Sequence, residues 1–458
     1  MKRTIIYIIV LLALVSCSKE FLEERSSSDI IVPRSAEDFQ RLLDNSAEIG
    51  YTSVLPHLSA DEYFIQKESD WVSSRTATER NSYIWDKDVF GGEVDIQDWN
   101  APYRTVFYAN SIIKGVEDAV GKPLAGDQFS EVYGQALFHR ARANFDLLKN
   151  FSVPFDPLTQ ASDQGIPLRM DPSIDDLQGR ASVQQGYMAI FGDLKASLQY
   201  LSQTGPIPQR NRPTRLAVFA QLSRIHLYRG EYDLAEDFAD SVLNRYNSLI
   251  DYNTVSKESN SPFSLTNEEL IMYGSTTSYN NAYQLNQAGA VYLDTVLISI
   301  YDNDDLRLSV YFKKLSPGRY IMKRGYNGSG LAPFNGLAVD EVLLNKMECL
   351  VRRQQLVKAS ELYNRLRRNR YRTGTFKSVT FSQRASALEL VLLERRKELV
   401  WRSLRWDDIK RLNREGANIV LTRILNGKVH TLEPNSSRYV FNIPQDEINR
   451  SGISQNQR

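Results

Sequence analysis

Along most of the chain, apolar residues recur three and four positions apart, the spacing of one helix face. Ser35-Ala36-Glu37-Asp38 reads as a capping-box start, and Phe39, Leu42 and Leu43 follow at helical spacing. Residues 101–120 place Val106, Ala109, Ile112, Ile113 and Val116 on one stripe. Residues 131–149 do the same with Val132, Leu137, Ala141, Phe145 and Leu148, and residues 183–203 with Val183, Tyr187, Ile190, Leu194, Leu198 and Leu201. Pro- and Gly-rich stretches, 152–172 and 205–213, separate these helices.

Residues 215–246 predict a helix pair. Leu216, Phe219, Leu222 and Ile225 line the first helix, Gly230 breaks it, and Leu234, Ala235, Phe238 and Val242 line the second. Ala217, Ala220 and Ala235 allow close approach, as in a tetratricopeptide unit. Residues 341–370 repeat the plan with Leu343, Leu344, Met347 and Leu350, then Ala359, Leu362, Tyr363 and Leu366. Their turn, Gln354-Gln355, lacks the glycine. One pair cannot bury its own face, so the pairs imply a stack. Residues 251–335 break the pattern with Asn, Ser, Gly and Tyr and short apolar pieces such as Leu270-Ile271-Met272-Tyr273. The expected fold is mostly α, with tetratricopeptide-like pairs stacked into a superhelix and a long irregular, loop-rich insertion on one face. Residues 31–458 are expected to form a single domain.

The N-terminus has a different pattern. Lys2 and Arg3 precede an apolar run from Ile5 to Val15. A helix of that length rises about 16 Å, roughly half a hydrocarbon core, so it is too short to span one. A basic start followed by a short apolar core reads as a secretory signal over residues 1–16. A buried N-terminal helix would keep an amphipathic face, and the run has none. Leu14-Val15-Ser16-Cys17 resembles a bacterial lipoprotein box, which implies cleavage before Cys17 and lipidation of that residue, palmitate among the acyl chains. Residues 17–30 then form the lipidated cysteine and a polar tether.

Composition adds exclusions. Hydrophobic residues make up 42% and charged residues 24% of the 458, a profile that excludes a mostly disordered chain. Lys and Arg number 56 against 55 Asp and Glu, so no global basic field draws nucleic acid. The basic stretch 351–372 reads as a solvated helix face. Two cysteines exclude a disulfide framework, and Cys349 lies in an apolar helical run as an inert core thiol. The four histidines are scattered, with no HExxH pair, and no metal or cofactor motif is present. Asp302, Asp304 and Asp305 begin like a calcium loop, but Leu306 follows and the sixth-position glycine is missing. No GxSxG elbow or Walker loop appears, so an enzyme is not expected.

Aromatic residues are more informative. Residues 62–108 hold ten, about twice the chain average of 10%, and residues 273–334 hold another ten. A flat ring suits the C–H face of a sugar, and Tyr and Trp add a polar edge. Most of these rings belong in a core, with Phe107 and Tyr108 the surest. Trp71, Tyr83 and Trp85, flanked by polar residues, are the candidate ligand platform.

Several motifs in fixed order resemble the SusD/RagB family of outer-membrane nutrient-binding lipoproteins. They are Glu20-Phe21-Leu22-Glu23, Trp99-Asn100-Ala101-Pro102-Tyr103 with Ala109-Asn110-Ser111-Ile112-Ile113, and Gln135 to Ala141. Leu393-Glu394-Arg395-Arg396-Lys397-Glu398-Leu399 with Arg405-Trp406-Asp407-Asp408 follows, then Phe441-Asn442-Ile443-Pro444-Gln445 with Gln455-Asn456. Two stretches depart from the pattern: Arg402-Ser403-Leu404 stands where a glutamate and a glycine are usual, and Arg140-Ala141-Arg142-Ala143 lacks a tyrosine-rich continuation. Glu394, Arg395, Glu398 and Arg405 are expected to interlock as ion pairs over Trp401 and Trp406, rather than to act as a catalytic carboxylate pair.

The resemblance implies a lipid-anchored protein exposed on the outer membrane. It would capture an oligosaccharide and deliver it to a SusC-like TonB-dependent β-barrel transporter. A lipid-anchored polysaccharide hydrolase, and a peptide-binding or scaffold lipoprotein of the same fold, are the alternatives.

Overall fold

A computed structural model describes residues 33–458 except 174, 176, 203, 280, 283–288 and 329. The signal run, Cys17 and the tether lie outside the described residues.

The longer helices are α1 (Ala36–Leu43), α2 (Gln97–Val120), α3 (Ser130–Phe151), α4 (Val183–Tyr200), α5 (Arg215–Arg229), α6 (Tyr232–Leu243), α7 (Val339–Arg352), α8 (Leu356–Arg368), α9 (Arg384–Glu398) and α10 (Arg405–Arg414). They match the apolar spacing closely. The capping box at Ser35 is complete: its side chain accepts from the Asp38 N–H, and the Asp38 carboxylate accepts from the Ser35 N–H. Ser182 and Gln185 form another at the start of α4. Such caps each stabilise a helix start by about 1 kcal/mol.

The helices pack as neighbours in chain order: α2 on α3, α3 on α4, α4 on α5, α5 on α6, and α6 on α7, which also receives α8 and α9. This is the expected stack. Gly230 ends α5 in the left-handed conformation at φ +80°. The second pair turns the same way without glycine, because Gln354 takes φ +60°. A non-glycine residue there costs about 1 kcal/mol, so the turn is harder to see in sequence but geometrically equivalent. One buried cluster runs through the stack from Trp99 and Phe138 to Trp406 and Phe441. A separate cluster packs α1 through Phe39 and Leu43 against Ile112, Val116 and Val132.

Residues 251–335 build a second core rather than a loose loop. Tyr252, Phe263, Leu297, Tyr311 and Tyr326 pack with Tyr63, Tyr83 and Trp401 from distant chain segments. Short strands stitch this region to the rest. Leu270–Met272 pairs with Leu337–Ala338, and Tyr51–Thr52 pairs in parallel with Ser275–Thr276. Strand β1 (Tyr63–Ile65) pairs antiparallel with β2 (Val291–Leu293), placing Phe64 opposite Tyr292. Strands β3 (Phe312–Ser316) and β4 (Arg319–Met322) form a hairpin beside β2.

The C-terminal hairpin of β5 (Leu421–Leu425) and β6 (Lys428–Leu432) was not expected from helical spacing. Its signal is period two: Leu421, Arg423 and Leu425 point inward, and Asn426-Gly427, both at positive φ, make the turn. Beyond it, Gln455 bonds both backbone groups of Ile443, and Asn456 donates to the carbonyls of Phe151 and Phe441. The terminal motif is therefore a clasp across the helical core.

Among the described residues, no helix is long and apolar enough to cross a membrane.

Candidate functional site

The three sequence candidates do not form one exposed platform. Trp85 is fully buried, and its Nε1–H donates to the Ser59 carbonyl at 2.9 Å. Tyr83 is buried, and its hydroxyl accepts from the Ile65 N–H at 2.9 Å. Between them stands Arg423 of β5. Its guanidinium lies 4.1 Å from the Tyr83 ring centroid, 4.8 Å from Trp85 and 5.0 Å from Tyr63. It also donates to the carbonyls of Leu58, Ala60 and Tyr83. Tyr83 and Trp85 thus pack around an internal cation, and both line, with Arg423, the cleft described below. Trp71 is half-buried and donates its Nε1–H to the Arg80 carbonyl at 3.0 Å. Phe107, expected in the core, is 40% exposed, because it falls on the outer side of α2.

The structure assembles different rings at the surface. In β1, Tyr63 and Ile65 point inward and Phe64 outward. In β2, Val291 and Leu293 point inward and Tyr292 outward. Register places Phe64 and Tyr292 side by side, with centroids 5.8 Å apart and planes 37° apart. Both are half-exposed. The Arg319 guanidinium, from β4, stands 5.4 Å from the Tyr292 centroid. Phe64 also lines a cleft of about 320 Å³ whose walls include Asp61, Gln66, Asp294, Thr295 and Thr422. A flat apolar surface beside amide, hydroxyl and carboxylate groups can stack on a sugar ring and bond its hydroxyls. Phe64 and Tyr292 lie in the two aromatic-rich stretches, and the period-two alternation around each is the signal that would have singled them out.

Carboxylates that might suggest chemistry are already engaged. Glu394 and Glu398 are buried, and Arg307 reaches both at 2.7 Å. Arg370 bridges Glu398 and Glu269, each at 2.7 Å. Arg402 holds Asp340 through two bonds of 2.9 and 2.6 Å. Glu269, Asp340 and Glu398 converge closely enough to suggest a metal, but guanidinium groups occupy their oxygens. Burial works against ionisation of Glu398, yet Arg370 and Arg307 outweigh it and hold it at about 2. Burial pushes Glu269 up to about 7 against the pull of Arg370.

The expected interlocking of Glu394, Arg395, Glu398 and Arg405 is corrected in its partners. Arg395 binds Asp408, Arg405 binds Asp61, and the two glutamates bind arginines from distant segments. Trp406 is buried as expected, stacked on Phe441 with centroids 5.9 Å apart. Trp401 packs edge-on to His57 at 3.6 Å. The departures from the family pattern are packing variants. Arg140 holds Asp193 and Asn110, and Arg142 holds the carbonyls of Gly50 and Asn335. Ser403 takes φ +56°, the conformation a glycine would adopt more cheaply.

The three aspartates of the calcium-like run do not converge on a cation. Asp305 binds Arg307 and Lys397, and Asp302 accepts from the backbone of its own turn and from the Tyr371 hydroxyl. In the basic stretch, Arg352, Arg353 and Arg372 pair with acids of the same chain, and Arg370 is fully buried rather than solvated. Cys349 is buried, and burial pushes its thiol far above the usual range.

Residues 20–227 match the SusD-like family model described as "Starch-binding associating with outer membrane". No curated protein matches the chain. Among solved structures, a SusD superfamily protein from Bacteroides thetaiotaomicron is 21% identical with a TM-score of 0.73, covering 93% of this chain and 100% of its own. A SusD superfamily protein from Bacteroides vulgatus is 19% identical, with a TM-score of 0.70 over 93% of this chain and 99% of its own. A SusD-like carbohydrate binding protein from Bacteroides vulgatus is 17% identical, with a TM-score of 0.67 over 91% of this chain and 97% of its own. At these identities the likeness shows a shared fold over nearly the whole chain, and the model match adds a sequence likeness over its N-terminal part. The N-terminal part of the chain is thus similar to the SusD-like family, and the chain as a whole shares the fold of SusD superfamily proteins.

Proposed function

We propose that this protein captures oligosaccharide at the cell surface and passes it, without breaking a bond, to a TonB-dependent outer-membrane barrel. The observation that carries the reading is the half-exposed Phe64–Tyr292 pair, whose Phe64 lines the cleft of about 320 Å³. Phe64 and Tyr292 stack on sugar rings, and Gln66, Thr295 and Thr422 bond sugar hydroxyls. Trp71 sits on the short helix Glu68–Val72, which packs against β1, and extends the aromatic surface. A lipid on Cys17 holds the protein to the outer membrane and leaves this surface exposed. The carbohydrate-binding name of a fold neighbour and the description of the matched family support the same reading.

The test is calorimetric titration of the full-length, detergent-solubilised protein with a panel of oligosaccharides, comparing wild type with Phe64→Ala and Tyr292→Ala. Saturable binding that both variants weaken supports the site. Binding that both leave intact moves the site elsewhere. Co-purification of a TonB-dependent barrel from the native envelope, read by mass spectrometry, tests the delivery step.

A further inference from the structure

We propose that the oligosaccharide taken by this platform is acidic, carrying carboxylate or sulfate groups. The proposal rests on the capture reading above and adds its ligand class.

The first observation is a one-sided charge distribution. No Asp or Glu occurs between Asp305 and Asp340, whereas the hairpin and its exit, residues 312–324, carry Lys313, Lys314, Arg319, Lys323 and Arg324. In a chain of formal charge +1 this is a concentrated local excess. Lys323 turns inward to the Ser309 carbonyl. Lys313 and Lys314 are exposed, and Arg319 is half-exposed. Among the described residues, none of these three forms an ion pair with a carboxylate.

The second observation is where that charge sits. Arg319 lies over Tyr292, which lies beside Phe64, so two rings and a guanidinium form one row of flat groups. A cation over a ring face keeps its N–H edge available, and a guanidinium edge matches a carboxylate or sulfate with two parallel bonds. Lys314 lies on the neighbouring strand, opposite Tyr320, with its Nζ 6.0 Å from that ring's centroid.

The third observation is how the acids at and below the cleft are engaged. Asp61 is held by Arg396 and Arg405, whose charges keep it ionised despite burial and far below the usual carboxylate range. Asp294 accepts from the Leu297 N–H to start the helix Thr295–Ser299. Glu62 accepts from the Trp401 N–H deep in the core. Of the two carboxylates lining the cleft, only Asp294 lacks a cationic partner among the described residues, against the three unpaired cations Lys313, Lys314 and Arg319 of the hairpin. A neutral sugar would leave Lys313, Lys314 and Arg319 without a role; an acidic one engages them.

The experiment compares hexagalacturonate and a chondroitin sulfate hexasaccharide with methyl-esterified hexagalacturonate, desulfated chondroitin hexasaccharide and maltohexaose, by calorimetry at low and high salt. Wild type, Phe64→Ala and Arg319→Gln are each checked for folding by circular dichroism. The expected result is binding of an acidic probe, lost with Phe64→Ala, weakened about tenfold by Arg319→Gln, and weakened by salt. Its neutral counterpart should bind more weakly and not respond to Arg319→Gln. Tight binding of a neutral probe that is lost with Phe64→Ala but unchanged by Arg319→Gln overturns the acidic class and leaves the capture reading standing. Failure of the folded protein to bind any probe overturns both. Salt-sensitive binding to an acidic peptide or to anionic vesicles, with no sugar bound, also overturns the proposal.

Discussion

Arg423 stands 4.1 Å from the Tyr83 ring centroid and donates to the Tyr83 backbone carbonyl, so one residue of the C-terminal hairpin locks a turn more than 300 positions away. The hairpin's attachment depends on this buried cation. Arg423→Ala and Trp85→Ala are each expected to lower unfolding stability by about 3 kcal/mol or more, since each removes large buried contacts and strands polar groups. Urea denaturation followed by tryptophan fluorescence measures this. A change within 0.5 kcal/mol, the size of an ordinary surface effect, would contradict this dependence.

Phe64 and Tyr292 should behave in the opposite way. Both are half-exposed, so removing either ring should shift the melting temperature by only about one or two degrees. If the proposed capture of oligosaccharide runs through this pair, binding should weaken about ten- to a hundredfold on losing either ring. Paired thermal melts and calorimetric titrations separate the two effects.

The buried carboxylate–guanidinium lattice implies a pH dependence. Glu269 is raised to about 7, so the folded state holds its proton where the unfolded chain, near 4.5, has released it. Its contribution to stability is complete below about pH 4.5 and is lost as pH rises through about 7, by roughly 3 kcal/mol. Glu269→Gln mimics the protonated form. Relative to wild type, the variant should therefore gain stability between pH 5 and pH 8, measured by denaturation at each pH. A stability difference that stays flat across this range would contradict a folded-state proton on Glu269.

Gln354 marks a stabilising substitution. It occupies a left-handed position at φ +60° between α7 and α8 and lacks the glycine that serves the equivalent turn at Gly230. Gln354→Gly should raise stability by a few tenths to about 1 kcal/mol, the relief of backbone strain less the added freedom of the unfolded chain. A lower melting temperature would show that the position is not strained.

The long helices, the Ser35 capping box and the Gly230 turn are legible in the sequence because each rests on residues a few positions apart. Helix faces, caps and turns are local, and the local choices agree with one another. The ordered motifs also carry the family resemblance. The C-terminal hairpin carries a local signal too, in the alternation around Asn426-Gly427.

The candidate ligand surface was not legible in this way. Polar flanks suggested that Tyr83 and Trp85 face solvent, but both rings are buried against Arg423 from the far end of the chain. Phe64 and Tyr292 become a pair only when β1 and β2 meet, with 227 positions between them closed by the fold. Arg307, Arg370 and Arg402 likewise found their carboxylates on other segments. Sequence determined which segments are helical, where they turn and which family they resemble, because those properties follow from neighbours along the chain. Tertiary structure decided which aromatic rings are buried, which face water and which charges remain unpaired, because burial and pairing depend on what the rest of the chain brings alongside.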